Sequence, residues 1–181
     1  MSEGQPETVS VFEATTGGLV NAALQSVPGA SRYYHGGANI YGKQGYSLYP
    51  PELRAQLAQG PGRSGNSARD GSQSSYRSAQ AYRESKVRHT CTVSKFMNSY
   101  MGSTWCIAES GATGPTFAPP DCQTGFTAIA VAGPSGQSTV VLVQSEHANR
   151  EANMWSFAAA ALAALEEAIR ACPVPTRRSN I

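Results

Sequence analysis

The stretch Val9-Ser-Val-Phe-Glu-Ala14 alternates apolar and polar residues and then turns apolar, which predicts a strand. Thr15-Thr16-Gly17-Gly18 reads as a turn, and Leu19–Val27 places apolar residues at 19, 20, 23, 24 and 27, the spacing of a helix that ends at Pro28-Gly29. The chain therefore opens as strand, turn, helix, the first half of an α/β unit. Ala38-Asn-Ile-Tyr41 predicts a short strand after a flexible Gly36-Gly37. Ser78–Met101 lacks Pro and Gly and predicts a long helix. Thr104-Trp-Cys-Ile-Ala108 has the length and apolarity of a buried parallel strand, with Glu109–Pro115 as the turn at its end. Phe126–Ala132 and Ser138–Val143 flank Pro134-Ser-Gly136 as a hairpin. Asn149–Ala171 predicts the closing helix, with Asn149 as N-cap and Glu151 in its first turn.

Composition narrows the classes. Of 181 residues 26 are Ala and 18 are Gly, which favours close backbone packing. The longest apolar run, Phe157–Leu165, falls short of the ~18 to 20 residues of a membrane span, so no span is predicted. Cysteines at 91, 106, 122 and 172 form no C-x-x-C pair, and histidines at 35, 89 and 147 are scattered, so neither a metal site nor a cofactor is predicted. The polar start resembles no signal or transit peptide, and a reducing intracellular compartment is expected. Residues 60–75 are too polar and Gly-rich to bury a core, and they read as a loop or docking segment. The expected organisation is an extension over 1–7, a domain over 8–172 with a low-complexity insertion or loop over 55–78, and a basic tail over 173–181. Residues 50–95 carry eight basic and three acidic side chains, although the whole chain is only +2. With so few aromatics among them, these charges suit a solvated or protein-docking surface rather than nucleic acid.

Two turns could carry chemistry. In an open α/β sheet ligands bind beyond the carboxyl ends of strands. Thr15-Thr16-Gly17-Gly18, following Glu13, offers hydroxyls and free N–H groups to a phosphate or carboxylate, or simply caps a helix. Glu109-Ser110-Gly111-Ala112-Thr113-Gly114-Pro115 is similar. Glu13 is placed to cap backbone groups or to face a ligand. His35 could act as an acid or base, but fits a surface or packing role better. No G-x-S-x-G elbow is present.

Val11–Val20, Val27-Pro-Gly-Ala-Ser31, Tyr34-His-Gly-Gly37, Ile40-Tyr41, Glu109–Pro115, Thr124-Gly125 and Asn149–Met154 occur in an order that resembles the CinA C-terminal family. That family includes bacterial nicotinamide mononucleotide deamidases, and the match is most similar to its eukaryotic CinA-like branch. The resemblance implies an α/β fold, a three-layer α/β/α sandwich, usually a homodimer. It also implies a pocket built from the two turns. Where the deamidase motif Glu-Ser-Cys-Thr-Gly-Gly carries its nucleophilic Ser, this chain has Ala14. The family's assisting Tyr is kept as Tyr41, but its Lys position is Tyr46, with Lys43 out of register. Basic family positions become Met154 and Trp155, while Arg150 remains.

The expectation is a domain that has lost deamidase chemistry and serves as a non-catalytic binding or assembly subunit, as a homodimer or with protein partners, docking through residues 54–95 and the Pro119–Cys122 loop. One alternative is an active amidohydrolase with a rearranged site using Thr15, Tyr41 and Lys43. Another is a nucleotide sensor without turnover. No catalytic residue is assigned: Ala14, Thr15, Tyr41 and Tyr46 would line a vestigial pocket. Glu13, Thr16, Gly17, Gly18, Gly37, Ser110, Gly111, Thr113, Gly114 and Arg150 are the ligand- or phosphate-binding candidates.

Overall fold

A computed structural model describes residues 6–59, 78–116 and 122–172. Five strands, β1 (Val9–Glu13), β2 (Tyr34–Asn39), β3 (Trp105–Ala112), β4 (Phe126–Ala132) and β5 (Ser138–Gln144), form one sheet in the order β2-β1-β3-β4-β5. β2, β1 and β3 run parallel, and β4 and β5 are antiparallel to their neighbours. Helices α1 (Leu19–Gln25) and α5 (Arg150–Ala171) cover one face. Helices α3 (Pro51–Ala58) and α4 (Ala79–Met101) cover the other, and the short α2 (Gly42–Gly45) precedes α3. The result is the expected α/β fold with helices on both sides of the sheet.

Strand parity divides the core. Val9, Val11, Ile107, Ile129 and Val131 face α5, where Ala158, Ala161 and Leu165 form a stripe at helical spacing. Small side chains there let the helix lie close to the sheet. Phe12, Cys106, Ala108 and Ala132 face α4 and meet Val93, Met97, Tyr49 and Leu53. Burial pushes the Cys106 thiol up to about 12, so it is a packing residue with no thiolate at neutral pH. All four cysteines are free. Among the described residues no helix is long and apolar enough to cross a membrane.

The helix predicted from 19 stops at Gln25, two residues early. The predicted cap at Asn149 holds, its Oδ1 accepting from Ala152 N–H; Ser78, where the predicted long helix opens, also caps it, Oγ accepting from Ala81 N–H. Two expectations need correction, and one element was not foreseen. β2 begins at Tyr34 and runs through Gly36-Gly37, which sequence alone reads as flexible. Pairing to β1 overrides local propensity there. β3 continues through Glu109–Ala112, predicted as a turn, because β4 pairs with it along that whole length. Finally α3, with Pro51 at its first position, has too weak an apolar pattern to be read from sequence. The expected loop over 60–75 and the basic tail lie outside the described residues, as does most of the Pro119–Cys122 loop.

A side chain at Gly37 would place its Cβ 1.8 Å from the Val11 carbonyl oxygen and 2.5 Å from Asn21 Oδ1. Gly37→Ala is therefore expected to pry β2 from β1 and to cost about 3 kcal/mol in urea denaturation. An unchanged midpoint would contradict this register.

Candidate functional site

β1 ends alongside the middle of β3, and the residues the two strands bring together there on the α5 face, Glu13 and Glu109, are both carboxylates. Glu13 and Glu109 are almost wholly buried. A buried carboxylate must be met by donors, and the Thr-rich turn after β1 supplies them. Glu109 Oε2 accepts the main-chain N–H groups of Ala14 (3.1 Å), Thr15 (2.9 Å) and Thr16 (3.1 Å). Glu109 Oε1 accepts from the hydroxyls of Thr15 and Thr127. Glu13 accepts from Val20 N (3.2 Å), Asn21 N (2.9 Å) and Asn21 Nδ2. The Thr16 hydroxyl lies between the two, bonded to Glu13 Oε2 and 3.2 Å from Glu109 Oε2. Tyr34 donates its hydroxyl to Asn21 Oδ1, which extends the network to β2.

Gly17 and Gly18 both take positive φ, 69° and 102°, and so bend the chain from β1 into α1. Gly18 caps the helix with no side-chain bond. The bend is tight against α5: a Cβ at Gly17 would sit 2.6 Å from Met154 Cε. Thus Met154 packs on this turn at a position where the family resemblance predicts a basic residue.

On the other side of the turn lies a more open rim. Arg150, the first residue of α5, donates to the Gly114 carbonyl (3.2 Å) and to the Tyr41 hydroxyl (3.2 Å), its guanidinium 5.8 Å from the centre of the Tyr41 ring. Gly114 precedes a cis proline. Asn153 Nδ2 holds the Thr113 carbonyl (2.9 Å) and the His147 carbonyl (3.1 Å). The buried Thr113 Oγ1 and Asn153 Oδ1 make no hydrogen bond. Three predicted residues, Tyr41, Gly114 and Arg150, thus come together.

Ser110, Gly111, Gly37 and Tyr46 lie apart from both groups. Ser110 faces α4, where half-buried Lys86 donates to its hydroxyl (3.1 Å). Burial pulls the Lys86 ammonium below its ordinary value, and the Glu109 charge pulls it partly back. Gly111 lets β4 approach, since a Cβ there would lie 2.0 Å from the Phe126 carbonyl oxygen. Gly37 sits in the β1–β2 pairing. Tyr46 packs against Tyr49 (5.7 Å between ring centres) and His89 (5.6 Å). Lys43 and His35 are exposed, and Trp155 is 59% exposed. Sequence reasoning missed Thr127, Asn21, Lys86 and Asn153, and gave Glu109 no role of its own. A carboxylate closing an otherwise apolar strand was the available signal, at both Glu13 and Glu109.

This arrangement of sheet, turn and helix defines a class, the CinA-superfamily fold. Competence damage-inducible protein A from Klebsiella pneumoniae superposes with a TM-score of 0.69 over 92% of this chain and 89% of that one, at 20% identity. A CinA superfamily protein from Escherichia coli superposes with a TM-score of 0.64 over 90% and 80%, at 17% identity. At such identities these two establish the fold alone. The CinA C-terminal domain profile matches residues 2–46 and 78–169. A CinA-like protein of Chlorobium phaeovibrioides is 30% identical over 177 residues, 94% of this chain. The chain belongs to the CinA C-terminal domain family. It spans 36% of the length of that Chlorobium relative.

Glu109→Gln keeps the shape but turns an NH2 group toward donors that need an acceptor. It is expected to destabilise the fold by about 3 kcal/mol, and Thr127→Val, which removes one donor, by about 1 kcal/mol. Denaturant midpoints of the two variants check this, and an equal or smaller loss for Glu109→Gln would contradict the role assigned to the carboxylate.

Proposed function

We propose that this domain has lost nicotinamide mononucleotide deamidase chemistry and acts as a non-catalytic binding or assembly subunit. The observation that carries the reading is the state of the first turn. At the position of the family nucleophile stands Ala14, which has no side-chain oxygen, and its N–H is bonded to Glu109. The neighbouring hydroxyls, Thr15 and Thr16, are buried and turned onto carboxylates. An activated nucleophile needs a base that can take its proton and a path to substrate. Here the Glu109 oxygens are crowded with donors, and no bond joins Thr15 to Lys43. The family's lysine position, Tyr46, belongs to an aromatic cluster under α4.

The same turn bears on anion binding. An incoming phosphate would compete with Glu109 for the N–H groups of residues 14–16 and would meet its charge. A second reading, a nucleotide sensor without turnover, is favoured by the Tyr41–Arg150 rim, where a guanidinium and a phenol stand together near the surface. Assembly with protein partners through the basic 54–95 segment belongs to the leading reading.

Ammonia release from nicotinamide mononucleotide by the purified chain tests the proposal. The expected result is no turnover above a no-enzyme control. An Ala14→Ser, Tyr46→Lys variant would show at most weak activity, since Met154 and Glu109 still occupy the turn. Turnover by the unmodified chain, lost on Thr15→Val, would establish the rearranged amidohydrolase instead.

A further inference from the structure

The helical layer on the α4 face stops short of the sheet's edge. Val140 and Leu142 of β5 pair with Ala130 and Ala128 of β4, so they share the face that α4 covers. Yet Val140 is 38% and Leu142 52% exposed, whereas Val141 and Val143, pointing the other way, pack against the core under α5. Between α4 and this strip runs a groove of about 540 Å³, with Ala79, Val87 and Leu142 along it and Arg83 and Arg88 at its wall.

Three features say what fits there. First, β5 is an edge strand seven residues long with unbroken register against β4, no charge and no proline. Edge strands ordinarily carry charges, prolines or bulges that forbid further pairing. This one keeps a free row of backbone donors and acceptors among the described residues. Second, the groove floor is apolar. Third, Arg83 beside it forms no ion pair among the described residues: its Nη2 donates to the neutral Gln144 amide (2.9 Å), its guanidinium lies 5.1 Å from the centre of the Phe126 ring, and its buried Nε makes no hydrogen bond. Glu84, also on the wall, is bonded to Gln80.

We infer that β5 accepts an extended peptide from a protein partner as a sixth strand, with apolar side chains lying over the exposed Val140 and, in the groove, over Leu142, and a carboxylate reaching Arg83. Strand addition draws affinity from main-chain hydrogen bonds and specificity from pockets for alternate side chains. A carboxylate on the groove side, level with Gln144, completes the guanidinium; apolar residues two and four positions away meet Leu142 and Val140. The opposite edge strand, β2, carries a register shift in its pairing with β1 between Tyr34 and Gly36, the kind of irregularity that discourages further pairing. The inference rests on the binding-module reading and names the chemistry of its partner.

The test uses the full chain and a labelled nine-residue peptide in which Val and Thr alternate, with one Glu on the Val side and a soluble tail. Fluorescence anisotropy is expected to show saturable binding. Replacing the Glu by Gln, or using Arg83→Gln, should weaken it about tenfold, and Leu142→Lys should abolish it. Equal binding of the Glu and Gln peptides, or none of either, would overturn the inference. So would saturable binding of octanoate with none of peptide, which would make the groove a small-carboxylate site. Sedimentation velocity adds a further arm: a dimer that Leu142→Lys converts to monomer would mean that a second copy covers β5, which also overturns it. Ammonia release is measured on the same samples. Turnover would remove the binding-module reading whatever the peptide does, and absent peptide binding without turnover would remove only this inference.

Discussion

The Glu109 carboxylate is the interaction on which the end of the sheet depends. It lies where three stretches separate in sequence meet: the end of β1 with its turn and, through Thr16 and Glu13, the start of α1; β3 itself; and Thr127 of β4. A carboxylate buried without donors would be very unfavourable. Met by main-chain N–H groups and hydroxyls, it becomes a strong, directional tie, because hydrogen bonds to an ionised acceptor are roughly twice as strong as neutral ones. The turn at residues 14–16 thereby acquires its shape from an internal anion rather than from a ligand.

That substitution has functional weight. The amino ends of helices and Thr/Gly turns bind anions because their N–H groups lack partners. In this chain the partners are built in. α1, only seven residues long, presents Val20 and Asn21 N–H to Glu13 instead of to solvent. What stays open is displaced outward, to Tyr41, Arg150 and the Gly114 carbonyl, and sideways, to the unshielded β5 edge. A fold shared with CinA-family proteins thus keeps an open rim and an open sheet edge while its first turn is closed upon itself.

Much of the fold was legible. The strand–turn–helix opening, the long helix to Met101, the hairpin of β4 and β5, and the Asn149 cap all follow from local periodicity and capping chemistry. The failures occur where long-range pairing decides. Gly36-Gly37 has no strand propensity, and only the neighbouring β1 makes it a strand. Glu109–Ala112 looks like a turn until β4 pairs with it. The site was legible as a set of residue types but not as a geometry. Glu13 and Glu109 were visible as acids at strand ends, yet their convergence on one turn requires knowing that β1 and β3 are adjacent, with more than 90 residues between them in the chain. The inward packing of Met154 and the pairing of Lys86 with Ser110 depend likewise on tertiary contacts that no local pattern encodes.

The central claim is that an internal carboxylate, not a ligand, occupies the N–H groups of the first turn. It is tested most directly by following the amide resonances of Ala14, Thr15 and Thr16 while nicotinamide mononucleotide is added to the isotopically labelled chain. The account predicts that these three signals stay in place up to millimolar nucleotide, whether or not signals near Tyr41 and Arg150 move. Saturable shifts of all three, lost when inorganic phosphate competes, would show that the turn still takes a phosphate and would contradict it.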